Sequence, residues 1–177
     1  RSEDHQVVCG VAGERRLPEL ILDWLPGYEN SRPVRIGNGA AGQVQLDVYG
    51  QMLNALFEAR RRGLPPDDHV WAMMRAVLGF LEVNWAQPDE GLWEVRGPRR
   101  HFVHSKVMAW VAFDRAVRAV RLGWREGPAD RWQELRDRIH AEVCAKGYDP
   151  ERATFTQSYG SRELDAALLL IPIVGFL

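Results

Sequence analysis

The chain has 177 residues, of which 46% are hydrophobic and 27% charged, enough for one domain with a real core and too short for a second independent one. Its 23 basic and 24 acidic residues leave a formal net charge of −1, so nothing electrostatic points to nucleic acid or an anionic membrane as the main partner. No apolar run of about 18 residues occurs, so no spanning helix is expected.

The N-terminal "RSEDHQVVCG" has no apolar signal core. The cysteines, Cys9 and Cys144, stand in unrelated settings that suit free thiols in a reducing, cytoplasmic compartment, with a single disulfide as the alternative. No initiator methionine opens the chain and the apolar "LLLIPIVGFL" closes it, so both ends are expected to be cut. After residue 40 the pattern is helical. Over 40–62, Leu46, Tyr49, Leu53 and Leu56 recur at spacings of three and four, which predicts one buried helical face, and Gly63 can end that helix. "LPPDD" opens a second helix over 67–86, with Val70, Met73, Met74, Val77, Leu78 and Leu81 as its core stripe. A third, 104–122, carries Val107, Trp110, Val111 and Val117, with Arg115, Arg118 and Arg121 on a wetter side. A fourth, 129–146, shows Trp132, Leu135, Ile139 and Val143 before Gly147. Ser161 caps a fifth whose body, "LDAALLLIPIVGFL", is apolar nearly all round and is therefore expected at the centre, although Pro172 would kink or shorten it.

The connections alternate. Short links follow the first and third helices, and long segments occupy 24–39, 87–103 and 147–160. Short links make consecutive helices antiparallel, so the long segments are expected at one end of the bundle. They hold acids, aromatics and amides, as a scaffold presenting a polar site would. The fold class is read as all-α: a toroid of alternating inner and outer helices, with a plain helix bundle as the other architecture.

The segment "PDEGLWEVRG" at 88–97 crowds Asp89, Glu90 and Glu94 around Trp93 in a stretch too broken for helix. It occurs in order with "LPGYENSRPVRIGNGA", "QLDVYG", "HFVHSKVMAWVAFDRA" and "FTQSYGSRELDAALLLIP". Together these resemble the central part of the glucoamylase-type glycoside hydrolases, family 15, particularly bacterial members that include trehalases. The resemblance runs from about Val7 to Leu177. It implies a partial (α/α)6 toroid, about five helices of a twelve-helix barrel, as a single fragment of a catalytic domain. It also implies an inverting hydrolase of α-glucosidic bonds, acting on trehalose or on malto- or isomalto-oligosaccharides, with no cofactor and no metal. The family's upstream arginine–aspartate motif is not found, and its second catalytic glutamate is expected beyond residue 177, so the isolated chain is expected to be inactive.

Inversion needs a proton for the leaving oxygen and a water activated from the opposite face, by carboxyl groups roughly 6.5–9.5 Å apart. The resemblance makes Glu94 the proton donor. Trp93 beside it can lower local polarity, raise the acid's pKa and stack on a pyranose ring. Asp89 and Glu90 are either acceptors for sugar hydroxyls or caps for the helix near His104. Arg32, Arg35, Asn38 and Trp24 come from the facing segment, as substrate contacts or, for the arginines, as structural ion pairs. His101 and His104 have i,i+3 spacing but no convincing third metal ligand, and "GNGAAG" lacks the lysine of a phosphate loop. The apolar C-terminal helix is expected either to mediate self-association or to be covered by further parts of a longer protein. A non-catalytic helical interaction module is the alternative reading.

Overall fold

Glycine and proline recur through residues 10–42 too often for a helix to propagate. The computed structural model describes residues 6–177, and no α-helix occurs among the described residues before Asp47. Residues 6–44 form one of two units, and Gln45–Leu177 form the other. In the first, β1 (Leu20–Ile21) pairs antiparallel with β2 (Arg35–Ile36), Leu20 facing Ile36. Residues Gly39–Gly42 make a 3-10 turn rather than the start of the predicted helix. Asn38 caps that turn by accepting the Ala40 N–H at 2.9 Å.

The second unit contains α1 (Asp47–Arg61), α2 (Asp68–Asn84), α3 (Val103–Arg121) and α4 (Ala129–Gly147). A hairpin of β3 (Tyr148–Asp149) and β4 (Thr154–Phe155) follows, then a 3-10 turn at Ala166–Leu169 that runs into α5 (Leu170–Ile173). Asp67 starts α2 by accepting the His69 and Val70 N–H groups at 2.8 and 3.1 Å. Tyr49, Leu53 and Phe57 turn one face of α1 inward against α3. Gly50 allows that approach: a Cβ there would lie 2.0 Å from the Met108 carbonyl oxygen.

The central helix is α3, packed by α1 and α4, with every residue buried except Arg118, Val120 and Arg121. Hydrophobicity alone had assigned the centre to the fifth helix and Arg115 to a wet face. Arg115 is instead buried, donating to Asp114 at 2.5 Å, Asn54 at 2.8 Å and the Val174 carbonyl at 2.9 Å. Asp114 also pairs with Arg118 at 3.0 Å. Charges satisfied in this way can occupy a core position. The predicted fifth helix shrinks to the 3-10 turn and the single turn of α5. Asp165, not Ser161, caps it, and Gly175 at φ 76° turns the chain beyond it.

The links 62–67 and 122–128 share one end of this unit. There Arg125 pairs with Asp68 at 2.6 Å, the Trp71 indole donates to the Glu126 carbonyl at 3.2 Å, and Trp124 packs on Phe57. The other end gathers segments 85–102 and 156–165; a backbone bridge between Asp89 and Arg100 closes the first on itself, and one between Phe102 and Ser158 joins the two. The architecture is all-α apart from two-residue strands and fits part of a helical toroid. Among the described residues, no helix is long and apolar enough to cross a membrane.

Candidate active site

Segment 85–102 leaves α2 and returns to α3 through a clamp of buried polar groups. Lys106, in the first turn of α3, is fully buried, and its Nζ donates to the carbonyls of Trp85, at 2.6 Å, and Gln87. Burial pulls its pKa down to about 8, although the Asp89 charge opposes that shift. Asp89 is closed off from solvent; its Oδ2 accepts the Leu46 N–H at 2.9 Å, and its backbone exchanges two 3.0 Å hydrogen bonds with Arg100. Burial pushes its pKa up. Neither predicted role fits this placement: Asp89 has no surface to offer a sugar, and the backbone N–H its carboxylate accepts is that of Leu46, at the entrance to α1.

Above the clamp the chain makes a tight turn. Glu90 pairs with Arg99 at 2.8 Å, and its carbonyl accepts the Val95 N–H at 3.3 Å. Gly91 has φ 70°, and a Cβ there would lie 2.7 Å from the Phe102 ring. The Gly91 carbonyl accepts the Glu94 N–H at 3.2 Å, leaving Glu94 at φ 52°, a left-handed conformation unusual for a residue other than glycine. Its side chain is exposed.

Trp93 is 57% exposed, yet its indole is fixed. The Nε1–H donates to both carboxylate oxygens of Asp165, at 2.9 and 3.0 Å. Asp165 also accepts the Ala167 N–H at 2.8 Å and the Gln157 amide at 3.3 Å. With its edge tied down, the indole leaves much of its face open to solvent. His104 is buried, and both its ring nitrogens are unpaired among the described residues. Burial pushes its pKa down, against the pull of Asp165. His101 stacks on Tyr159 with centroids 5.6 Å apart, and burial raises the Tyr159 phenol.

The structure thus brings Trp93, Glu94 and Glu90 together on one turn, with Asp89 in the clamp below. The other sequence-predicted residues lie in the first unit. Trp24 and Arg32 are exposed there, Arg35 pairs with Glu19 at 3.2 Å, and Asn38 caps its turn. Asp165 was missed because it fell inside the predicted fifth helix. An acid immediately before "AALLL" is an N-cap signal that could have marked it. Among the described residues, no group of three His, Cys, Asp or Glu side chains could hold a metal. An apolar cleft of about 80 Å³, lined by Phe57, Trp71, Met74 and Trp124, lies at the opposite end of the unit, away from this chemistry.

The family model for glycosyl hydrolases family 15 matches residues 1–177. The chain belongs to glycosyl hydrolase family 15. It is 44% identical over 173 residues to a trehalase of Mycolicibacterium smegmatis, a match covering 97% of this chain and 26% of the relative. A trehalase of Thermoplasma volcanium is 40% identical over 172 residues, covering 97% of this chain and 27% of the relative. The chain therefore spans about a quarter of the length of these curated relatives. Among solved structures, a glycosidase variant in complex with glucose superposes with a TM-score of 0.66 at 21% identity, over 86% of this chain and 42% of that one. That likeness supports the helical fold.

Proposed function

We propose that this segment supplies the general acid of an inverting α-glucoside hydrolase whose substrate is trehalose. The observation that carries the reading is the turn at 91–94. It holds Glu94 in a left-handed conformation, with an exposed carboxyl next to an anchored, open-faced indole. Strained backbone at a polar, solvent-facing turn is a recurrent feature of functional sites. Relatives named trehalase favour trehalose over malto- and isomalto-oligosaccharides. In this reading Glu94 protonates the glycosidic oxygen as the bond to the anomeric carbon breaks. A water on the opposite face, activated by a carboxylate outside these residues, completes the inversion. Trp93 offers its face to a pyranose ring, and Glu90, held by Arg99, borders the same turn. The free thiols, Cys9 and Cys144, fit a cytoplasmic setting.

The test is hydrolysis of trehalose, maltose and isomaltose by the full-length protein carrying this segment, with the product anomer followed by NMR. Trehalose should be cleaved with release of β-glucose, and retention of configuration would overturn the mechanism. Glu94→Gln should keep the fold and lower kcat by about 10²–10⁴-fold. A substrate with a very good leaving group, such as α-glucosyl fluoride, should lose far less, because its departure needs little protonation.

A further inference from the structure

We infer that Asp165 is a positioning residue for Glu94, acting through the indole of Trp93. The inference rests on the reading of Glu94 as the general acid. Trp93 and Asp165 lie 72 residues apart, yet the indole N–H sits almost symmetrically between the two carboxylate oxygens. A charge-assisted bond of this kind holds its partner more firmly than a neutral one. The carboxylate is itself held by the Ala167 N–H at its own cap and by the Gln157 amide. Gln157 is fixed in turn, since its carbonyl accepts the Val103 N–H at 3.0 Å and its own N–H donates to the Glu163 carbonyl at 2.7 Å. A chain of bonds therefore runs from the first turn of α3 through Gln157 and Asp165 to the Trp93 ring.

Glu94 needs that support because its own turn supplies little. Within the turn, the backbone is held by the 3.2 Å bond from the Glu94 N–H to Gly91 and the 3.3 Å bond from the Val95 N–H to Glu90, both at the long end of the range. An exposed residue at positive φ relaxes readily unless its neighbours fix it. Anchoring the ring of the preceding residue fixes the peptide plane from which Glu94 projects. A proton donor displaced by about 1 Å can lose roughly 10²-fold in rate.

The experiment uses the full-length protein and compares Asp165→Asn, Asp165→Leu, Trp93→Phe, and Trp93→Phe with Asp165→Leu. Asp165→Asn keeps an oxygen for both the indole and the Ala167 N–H, and it should retain at least about a tenth of the wild-type kcat. Asp165→Leu should lose about 10²-fold in kcat on trehalose and only a few-fold on α-glucosyl fluoride. Trp93→Phe keeps a ring but removes the donor, so adding Asp165→Leu to it should bring little further loss. The inference is overturned if Asp165→Leu affects both substrates equally, acts through KM alone, or multiplies fully with Trp93→Phe. If Glu94→Gln itself spares trehalose hydrolysis, the general-acid reading fails first. Selective loss in Glu94→Gln with none in Asp165→Leu refutes only the positioning role.

Discussion

Asp47 and Asp89 are both closed inside the molecule at the entrance to α1, where two carboxylates share little solvent. Burial is the larger cause and the Asp89 charge the second in raising the Asp47 pKa from 3.8 to about 6. The folded chain therefore binds more protons than the unfolded chain across that interval. The contribution of Asp47 to stability is complete below about pH 4 and is lost as the pH rises through about 6. His101 and His104, whose pKa values burial lowers, act in the opposite direction: their contribution grows as the pH rises towards their unfolded range. Asp47→Asn removes the first trend and leaves the second. Its oxygen can still accept the Gln51 amide, which donates to Asp47 Oδ2 at 3.1 Å. The variant should thus gain stability relative to the wild type between about pH 4 and pH 7, by roughly 2–3 kcal/mol at most. Urea denaturation of both proteins at three pH values measures this, and a gap that does not change with pH would contradict it.

Helix α3 shows why charge patterning misled the reading of layers. Arg115 reads from the sequence as part of a wetter face, yet it is buried and bonded internally, as are Lys106 and Asp114 on the same helix. The C-terminal segment misled in the other direction: an apolar run implies burial but not helix, and Asp165 and Gly175 confine the regular structure to two short turns. Helix existence in 47–147 was legible because apolar residues recur at three and four and glycine, proline or aspartate marks the ends. What periodicity could not show is where two helix backbones touch. Gly50 marks one such point, since a Cβ there would lie 2.0 Å from the Met108 carbonyl oxygen. Gly50→Ala gains helix propensity of about 1 kcal/mol locally but forces α1 away from α3. Overpacking of this kind typically costs about 1–3 kcal/mol, so the net result should be destabilisation, visible as a lower midpoint in chemical denaturation. A variant as stable as the wild type would show that α1 can shift without penalty.

At the scale of the molecule, alternating link lengths made the two ends of the helical unit legible, since a short link leaves a chain little choice but to reverse. The turn bearing Trp93 and Glu94 was legible for the same reason. Its support was not, because the contact with Asp165 spans 72 residues and depends on the exit geometry of the C-terminal segment. That segment also carries the remaining apolar question. Ala167, Ile171, Val174 and Phe176 turn inward, while Leu169, Ile173 and Leu177, four residues apart, are each at least 70% exposed. Leu164 adds to the exposed set. Burying side chains of this size contributes about 1.5–3 kcal/mol each, and contiguous apolar patches are uncommon on soluble monomers. We therefore propose that the 177-residue chain self-associates through this edge. Light scattering across a concentration series should show a mass that rises with concentration. Leu169→Glu with Ile173→Glu should return it to the monomer without unfolding it, because neither side chain contributes to the buried set. A monomer that persists at high concentration in the unsubstituted chain would refute the association. Association unchanged by the two substitutions would place the contact elsewhere, with the exposed Met73 and Val83 of α2 as the next surface to alter.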